Sequence, residues 1–216
     1  MALELNGTTG VSLVQDGVVT SADLNSTLDL TGKTVTLPAE SSALVHIKTL
    51  EGTNVSSFDF MHGSNGVIFD DTYTTYEFII HYAYNVNVGT DFNGFPSQNG
   101  TIFTASGVEG VRQRVIFENG STGSFNGNTT SAMLRSILNL GDSAANPIGG
   151  RVQIRNPYSS SSKTVCMWDL SGRDNDNYYR EFGSGNTTSA GRTYGFQFAA
   201  GSGNTNGKIS LYGIKE

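Results

Sequence analysis

Charge is scarce in this sequence. Lys and Arg number 13 and Asp and Glu 19 among 216 residues, 15% in all, where roughly a quarter is usual. Helical domains draw on Glu, Lys and Ala-rich runs, so the shortage excludes a mainly helical protein. Positive charge is the scarcer sign. The net charge is −6 and the basic residues are scattered, with Arg112 and Arg114 the nearest thing to a pair. This excludes the clustered basic surface that nucleic-acid binding needs. Cysteine occurs once, as Cys166, which excludes an internal disulfide framework and reads as a small buried hydrophobe. No apolar run approaches the ~20 residues of a membrane helix. Met1 to Leu5 carries neither the basic nor the apolar region of an export leader, so synthesis in a cytoplasm is expected.

What remains is Gly, Asn, Ser and Thr, with 12 Phe and 9 Tyr to fill a core. Such a composition suits short strands joined by tight turns. Alternating runs recur at Leu44–Leu50, Tyr76–Tyr82, Val111–Phe117, Gly150–Pro157, Thr164–Leu170, Thr193–Ala199 and Lys208–Tyr212. Tyr76–Tyr82 is the expected sheet centre, and Met133–Leu140 is read as a strand. Residues 119–130, rich in Gly, Asn, Ser and Thr, read as an exposed loop. Turn signals every 8–12 residues or so indicate an all-β, antiparallel sandwich of jelly-roll type over 40–216. Residues 1–39 differ. Leu3, Leu5, Val11, Leu13, Val18, Val19, Leu24, Leu28 and Leu30 are dispersed among small polar residues, with a capping-box-like start at Thr20 for a short helix. This segment buries too little apolar surface to offset its ordering entropy. It is expected to be an extended attachment and oligomerisation arm.

Several motifs carry a family resemblance. Leu28-Asp29-Leu30-Thr31-Gly32-Lys33 in the arm, Phe69, Asp70, Tyr73, Tyr76 and Phe78 in the body, Arg151 to Pro157, and the ending Gly207-Lys208-Ile209-Ser210-Leu211-Tyr212-Gly213-Ile214 resemble surface proteins of tailed-phage virions. The likeness is to tail-fibre-like or capsid-decoration proteins of marine cyanophage type. It implies a non-enzymatic homotrimer in the virion, its arm bound to other capsid or tail proteins and its jelly-roll head exposed to host-surface glycan. A bacterial carbohydrate-binding module or small glycan hydrolase is the alternative.

The residues offer little for catalysis. His46, His62 and His81 lie far apart and read as satisfied sheet histidines. Gly141-Asp142-Ser143 lacks the strand–turn–helix setting of a nucleophile elbow. Asp70-Asp71 reads as a turn without the facing acid that glycoside hydrolysis requires. Asp174 and Asp176 alternate with Asn in the manner of Ca²⁺ ligands, although Tyr179 stands where a loop glycine belongs, and a solvated turn is the expected role. No cofactor is expected beyond that weak calcium site. Tyr178, Tyr179, Asn175 and Asn177, read as lying in a polar loop, are the glycan-contact candidates, with rings to stack on sugars and amides to bond hydroxyls. Trp168 reads as core. Arg112 and Arg114 read as a solvated strand face or a salt-bridging oligomer surface.

Overall fold

A computed structural model describes residues 44–86, 90–100, 107–118, 121–129, 132–136, 147–174 and 177–215. The nine arm residues named above and the expected short helix lie outside the described residues. Twelve strands and no helix occur among the described residues. The first six are β1 (Leu44–Val55), β2 (Phe58–Met61), β3 (Thr75–Asn85), β4 (Phe92–Ser97), β5 (Val108–Glu118) and β6 (Ser121–Thr129). The remainder are β7 (Leu134–Ser136), β8 (Ile148–Arg155), β9 (Val165–Asp174), β10 (Asn177–Thr187), β11 (Gly195–Ala200) and β12 (Thr205–Ile214). Consequently, no helix among them is long and apolar enough to cross a membrane.

Two antiparallel sheets form. The larger has the order β1-β12-β3-β8-β9-β10-β5-β6 and the smaller β2-β11-β4-β7. The chain alternates between them, and the pairs β1–β12, β2–β11, β3–β8 and β4–β7 are nested one inside the next. Hairpins β5–β6 and β9–β10 are insertions in that nest, and both add to the larger sheet.

The sheets meet through phenylalanine, giving a sandwich-like all-β body. Strand alternation sends Tyr76, Phe78 and Ile80 of β3 to one face. Phe78 lies with its ring centroid 5.0 Å from Phe60 and from Phe198, and 5.7 Å from Phe196. β3 is therefore clamped to β2 and β11 by a cluster of rings. Edge-to-face geometry adds to their burial. Ile209 and Leu211 of β12, and Val152 and Ile154 of β8, complete this core. Cys166 joins it from β9 fully buried, and burial pushes its thiol well above the ordinary range.

Beyond β9 the inner face turns polar. Register places Arg114 opposite Glu181 and Arg112 opposite Gly183, so the two arginines, expected on a solvated face, point inward. Arg112 is 5% exposed and Glu181 fully buried. Arg114 Nε donates to Glu181 Oε2 at 3.1 Å, and Arg112 Nη1 to the Arg135 carbonyl of β7 at 2.9 Å. Arg135 in turn pairs with Asp91 at 2.7 Å. The ion network thus ties the hairpin extension to the smaller sheet. Burial pushes the Glu181 carboxyl above its ordinary value, outweighing the opposite pull of Arg114 and Arg112.

Two stretches depart from the sequence reading. Residues 119–130, expected as a loop, include β6, which pairs with β5 from Glu118–Ser121 to Gly110–Thr129. Gly, Asn and Ser have little strand preference of their own, and the β5 ladder supplies the template. The polar run holding Tyr178 and Tyr179, also expected as a loop, opens strand β10. Its glycines are packing residues. A Cβ on Gly183 would lie 2.4 Å from both the Trp168 ring and the Val111 carbonyl oxygen. Of the Met133–Leu140 strand, Leu134–Ser136 is realised, and 137–140 lie outside the described residues.

Phe78→Ala is expected to lower unfolding free energy by about 3–5 kcal/mol in urea titrations. Glu181→Ala, leaving Arg114 inside without its carboxylate, is expected to cost about 3–5 kcal/mol. Glu181→Gln retains an acceptor for Arg114 and should cost distinctly less. Equal losses for the two Glu181 variants would show that the ion pair does not hold the extension.

Candidate ligand-binding face

The inward turn of Arg112 and Arg114 forces their neighbours outward, because successive side chains on a strand take opposite faces. Val111, Gln113 and Val115 therefore stand on the outer face of β5. Register continues this face across three more strands. One row runs Val111, Ser184, Met167, Gln153; the next runs Gln113, Phe182, Asp169, Arg151. Farther along β10, Arg180 lies beside Val115 and Ser171, and Tyr178 beside Arg173.

Among the described residues, nine large hydrophobics stand exposed, and five share this face: Val111 (51%), Val115 (40%), Met167 (42%), Tyr178 (57%) and Phe182 (40%). Isolated exposed apolar residues are ordinary, whereas a contiguous group marks a contact surface. The face is hollowed twice. A trough of about 610 Å³ is lined by Val111, Met167 and Phe182 with Gln113, Gln153 and Arg151 among its polar wall. A second depression of about 570 Å³ is lined by Val115, Tyr178, Arg173 and Ser171 among others. Both fall in the size range of small-molecule sites.

Arg180 separates the two hollows. It donates to both Asp169 oxygens, Nε to Oδ1 at 2.8 Å and Nη2 to Oδ2 at 2.5 Å, a forked pairing that fixes both side chains. This hydrogen bonding, with the charge of Arg180, holds the Asp169 carboxyl below its ordinary value. The Arg173 guanidinium lies 5.2 Å from the Tyr178 ring centroid, a cation–π contact. Arg151 keeps 72% of its side chain exposed, with Nε 3.5 Å from the buried Glu77. That separation is too long for a strong hydrogen bond.

The sequence candidates divide accordingly. Tyr178 is on the face, whereas Tyr179 is 6% exposed and turned inward, 5.7 Å below the Arg114 guanidinium. Asn175 and Asp176 lie outside the described residues, and of Asp174 and Asn177 only the strand backbone is described. Gly141-Asp142-Ser143 lies outside them as well. Among the described residues no group of three His, Cys, Asp or Glu side chains could hold a metal ion. Trp168 is core, at 3% exposure. Each histidine has a local partner: His46 with Thr49, His62 with the Phe69 amide, and His81 with Ser210. Asp70 accepts from the Thr72 amide at 2.9 Å, closing the expected turn. Phe182, Met167, Val111, Gln113, Gln153 and Arg151 were not among the sequence candidates. Their signal is the apolar member of each alternating pair landing on the face opposite the core.

Because Asp169 titrates lower folded than unfolded, its pairing stabilises fully above the ordinary aspartate range and is lost as pH falls through the folded value. Arg180→Ala is expected to move the Asp169 carboxyl resonance midpoint upward in an NMR pH titration. An unmoved midpoint would remove the pairing from the solution structure.

The chain matches no family model, no curated protein and no solved structure, so the face itself carries the functional argument.

Proposed function

We propose that the chain is a non-enzymatic structural protein of a tailed-phage virion. In this reading it is a trimeric surface appendage, docked through residues 1–39, whose head contacts host-surface glycans in the manner of tail-fibre or capsid-decoration proteins. The observation that carries the binding role is the grouping of exposed Tyr178, Phe182, Met167, Val111 and Val115 on one sheet face, interleaved with Gln113, Gln153, Arg180 and Asp169. Rings and aliphatic groups offer surfaces to the apolar faces of sugars, while amides and ions offer hydrogen bonds to hydroxyls. A jelly roll is the finer reading of the fold. The nested pairs β1–β12, β2–β11, β3–β8 and β4–β7 support it, since a rolled-up long hairpin yields that nesting.

The bacterial carbohydrate-binding reading uses the same face, and virion composition separates the two. Mass spectrometry of purified particles should find the chain in fixed copy number, in hundreds for a capsid role and far fewer for a tail role. Complete absence from particles would remove the virion reading. Sedimentation of the full chain should give the trimer mass. In pull-downs with marine cyanobacterial cells, Phe182→Ala and Tyr178→Ala should each reduce bound protein several-fold without changing the circular dichroism spectrum. Unchanged retention by both variants would take the face out of adhesion. Release of reducing sugar from host glycans would instead make the protein a hydrolase.

A further inference from the structure

We infer that the trough on the outer face of β5, β10 and β9 seats one uncharged sugar unit of a glycan, with Ser184 as its floor, Val111 and Met167 as its sides and Phe182 as its stacking wall. This rests on the glycan-contact reading above and specifies the seat and the ligand class.

Register creates the seat. Val111, Ser184 and Met167 lie side by side on β5, β10 and β9, so about 10 Å of sheet separates the outer two. Between two larger apolar side chains the small Ser184 leaves the space open, and all three line the hollow of about 610 Å³. Phe182 stands two residues from Ser184 on the same face of β10 and closes one end with an exposed ring. Ser184 brings a hydroxyl to the floor, while Gln113 and Gln153 bring amides to the rim. Those groups both donate and accept hydrogen bonds without carrying charge. Apolar contact on three sides, with neutral hydrogen-bonding groups at floor and rim, matches a pyranose. Its C–H face is apolar and its edge is hydroxylated.

Charge balance then sets the class. In the two rows of the trough and the row on either side, from β5 to β8, the outward charges are Glu109 and Asp169 against Arg151, Arg155 and Arg180. Glu77 of β3, beside Gln153 on the same face, forms an ion pair with Arg151 and makes the two signs equal. The charges are also interleaved. Asp169 sits in the fork of Arg180 and opposite Arg151, and Glu109 accepts from the Asn186 amide at 2.9 Å. Arg112 directs its guanidinium inward to the Arg135 carbonyl. An anionic group brought to Arg151 therefore meets Glu77 and Asp169 at once, and a cationic group brought to Asp169 meets Arg180 and Arg151. Neither sign of ligand finds a complementary potential. An uncharged ligand uses the apolar seat and its rim without disturbing either ion pair.

The test applies the full chain to an array of neutral and acidic oligosaccharides, followed by calorimetry with cellotetraose, mannotetraose and tetragalacturonate. A neutral tetrasaccharide is expected to bind at least as tightly as the acidic one, its affinity changing less than about twofold as salt rises. Ser184→Leu fills the floor from the outer side of the sheet and should weaken binding about tenfold or more. Ser184→Ala keeps the space and should weaken it only a few-fold, about the loss of one hydrogen bond. Phe182→Ala removes the wall and should weaken it about tenfold, with the circular dichroism spectrum unchanged in all three variants. Tighter, salt-sensitive binding of tetragalacturonate would overturn the uncharged assignment and leave the glycan reading standing. Neutral binding untouched by Ser184→Leu and Phe182→Ala would overturn the seat. Binding of no glycan by the full chain would overturn both readings. Conversion of an oligomer to a monomer by Ser184→Leu would overturn the seat by making the trough a contact between copies.

Discussion

Among the described residues an eight-stranded sheet faces a four-stranded one, and this mismatch in width governs the rest of the structure. Where the small sheet lies opposite β12, β3 and β8, the interface is the ring cluster around Phe78, a dry hydrophobic contact. The hairpins β9–β10 and β5–β6 carry the larger sheet past that cover. Their inner face meets the small sheet at β7, described over Leu134–Ser136. The contact described there is polar, made by Arg112, Arg135 and Asp91, with Glu181 and Arg114 behind them. Buried ions cost desolvation energy and hold firmly only when paired. The extension is thus fixed by geometry-sensitive contacts, in contrast to the adaptable packing around Phe78.

That choice inverts β5. Along Val111-Arg112-Gln113-Arg114-Val115, the charged positions face in and the apolar positions face out. Strand alternation is strictly two-fold, so committing the arginines to Glu181 and Arg135 leaves the valines no alternative to solvent. Neighbouring β10 and β9 answer with Phe182, Tyr178 and Met167 on the same side. The exposed apolar face and the buried ion network are two sides of one arrangement. A change that released the arginines would disturb the face from beneath.

The sequence made the fold class plain and the face obscure, for the same physical reason. Alternation reports that a run is a strand, and Tyr76–Tyr82, Gly150–Pro157 and Lys208–Tyr212 lie within β3, at β8 and within β12. Alternation says nothing of which face is inside when both carry some apolar and some polar residues. In β5 the customary assumption, charge outward, selects the wrong phase. Glycine misled at β10, where Gly183 and Gly185 resemble loop residues. Gly183 makes room for the Trp168 ring, and Gly185 for the Met133 carbonyl oxygen. Strand β6 was hidden because its pairing is dictated by β5 more than by its own residues. Tyr178 was legible as an exposed ring, but the exposure of Phe182 beside it depends on a register no local pattern contains.

A binding face built on four strands differs in kind from one built on loops. Phe182 and Tyr178 are held by backbone ladders on both sides, and each ring has two rotatable bonds to restrain, so the proposed docking of a sugar would cost little conformational entropy. Shallow hollows of this kind offer only modest affinity per site, since they leave much of a ligand in water. In the proposed trimer the deficit is offset by number: several such faces engaging one polymeric glycan convert weak contacts into firm retention. Rigid spacing then matters more than depth. A face whose exposed rings kept a fixed separation would register repeatedly on a repeating polysaccharide, whereas a flexible loop site would lose that advantage to disorder at each repeat. In the proposed role the ion network beneath β5 and β10 would serve this requirement, because a geometry-sensitive support keeps the spacing of the face constant.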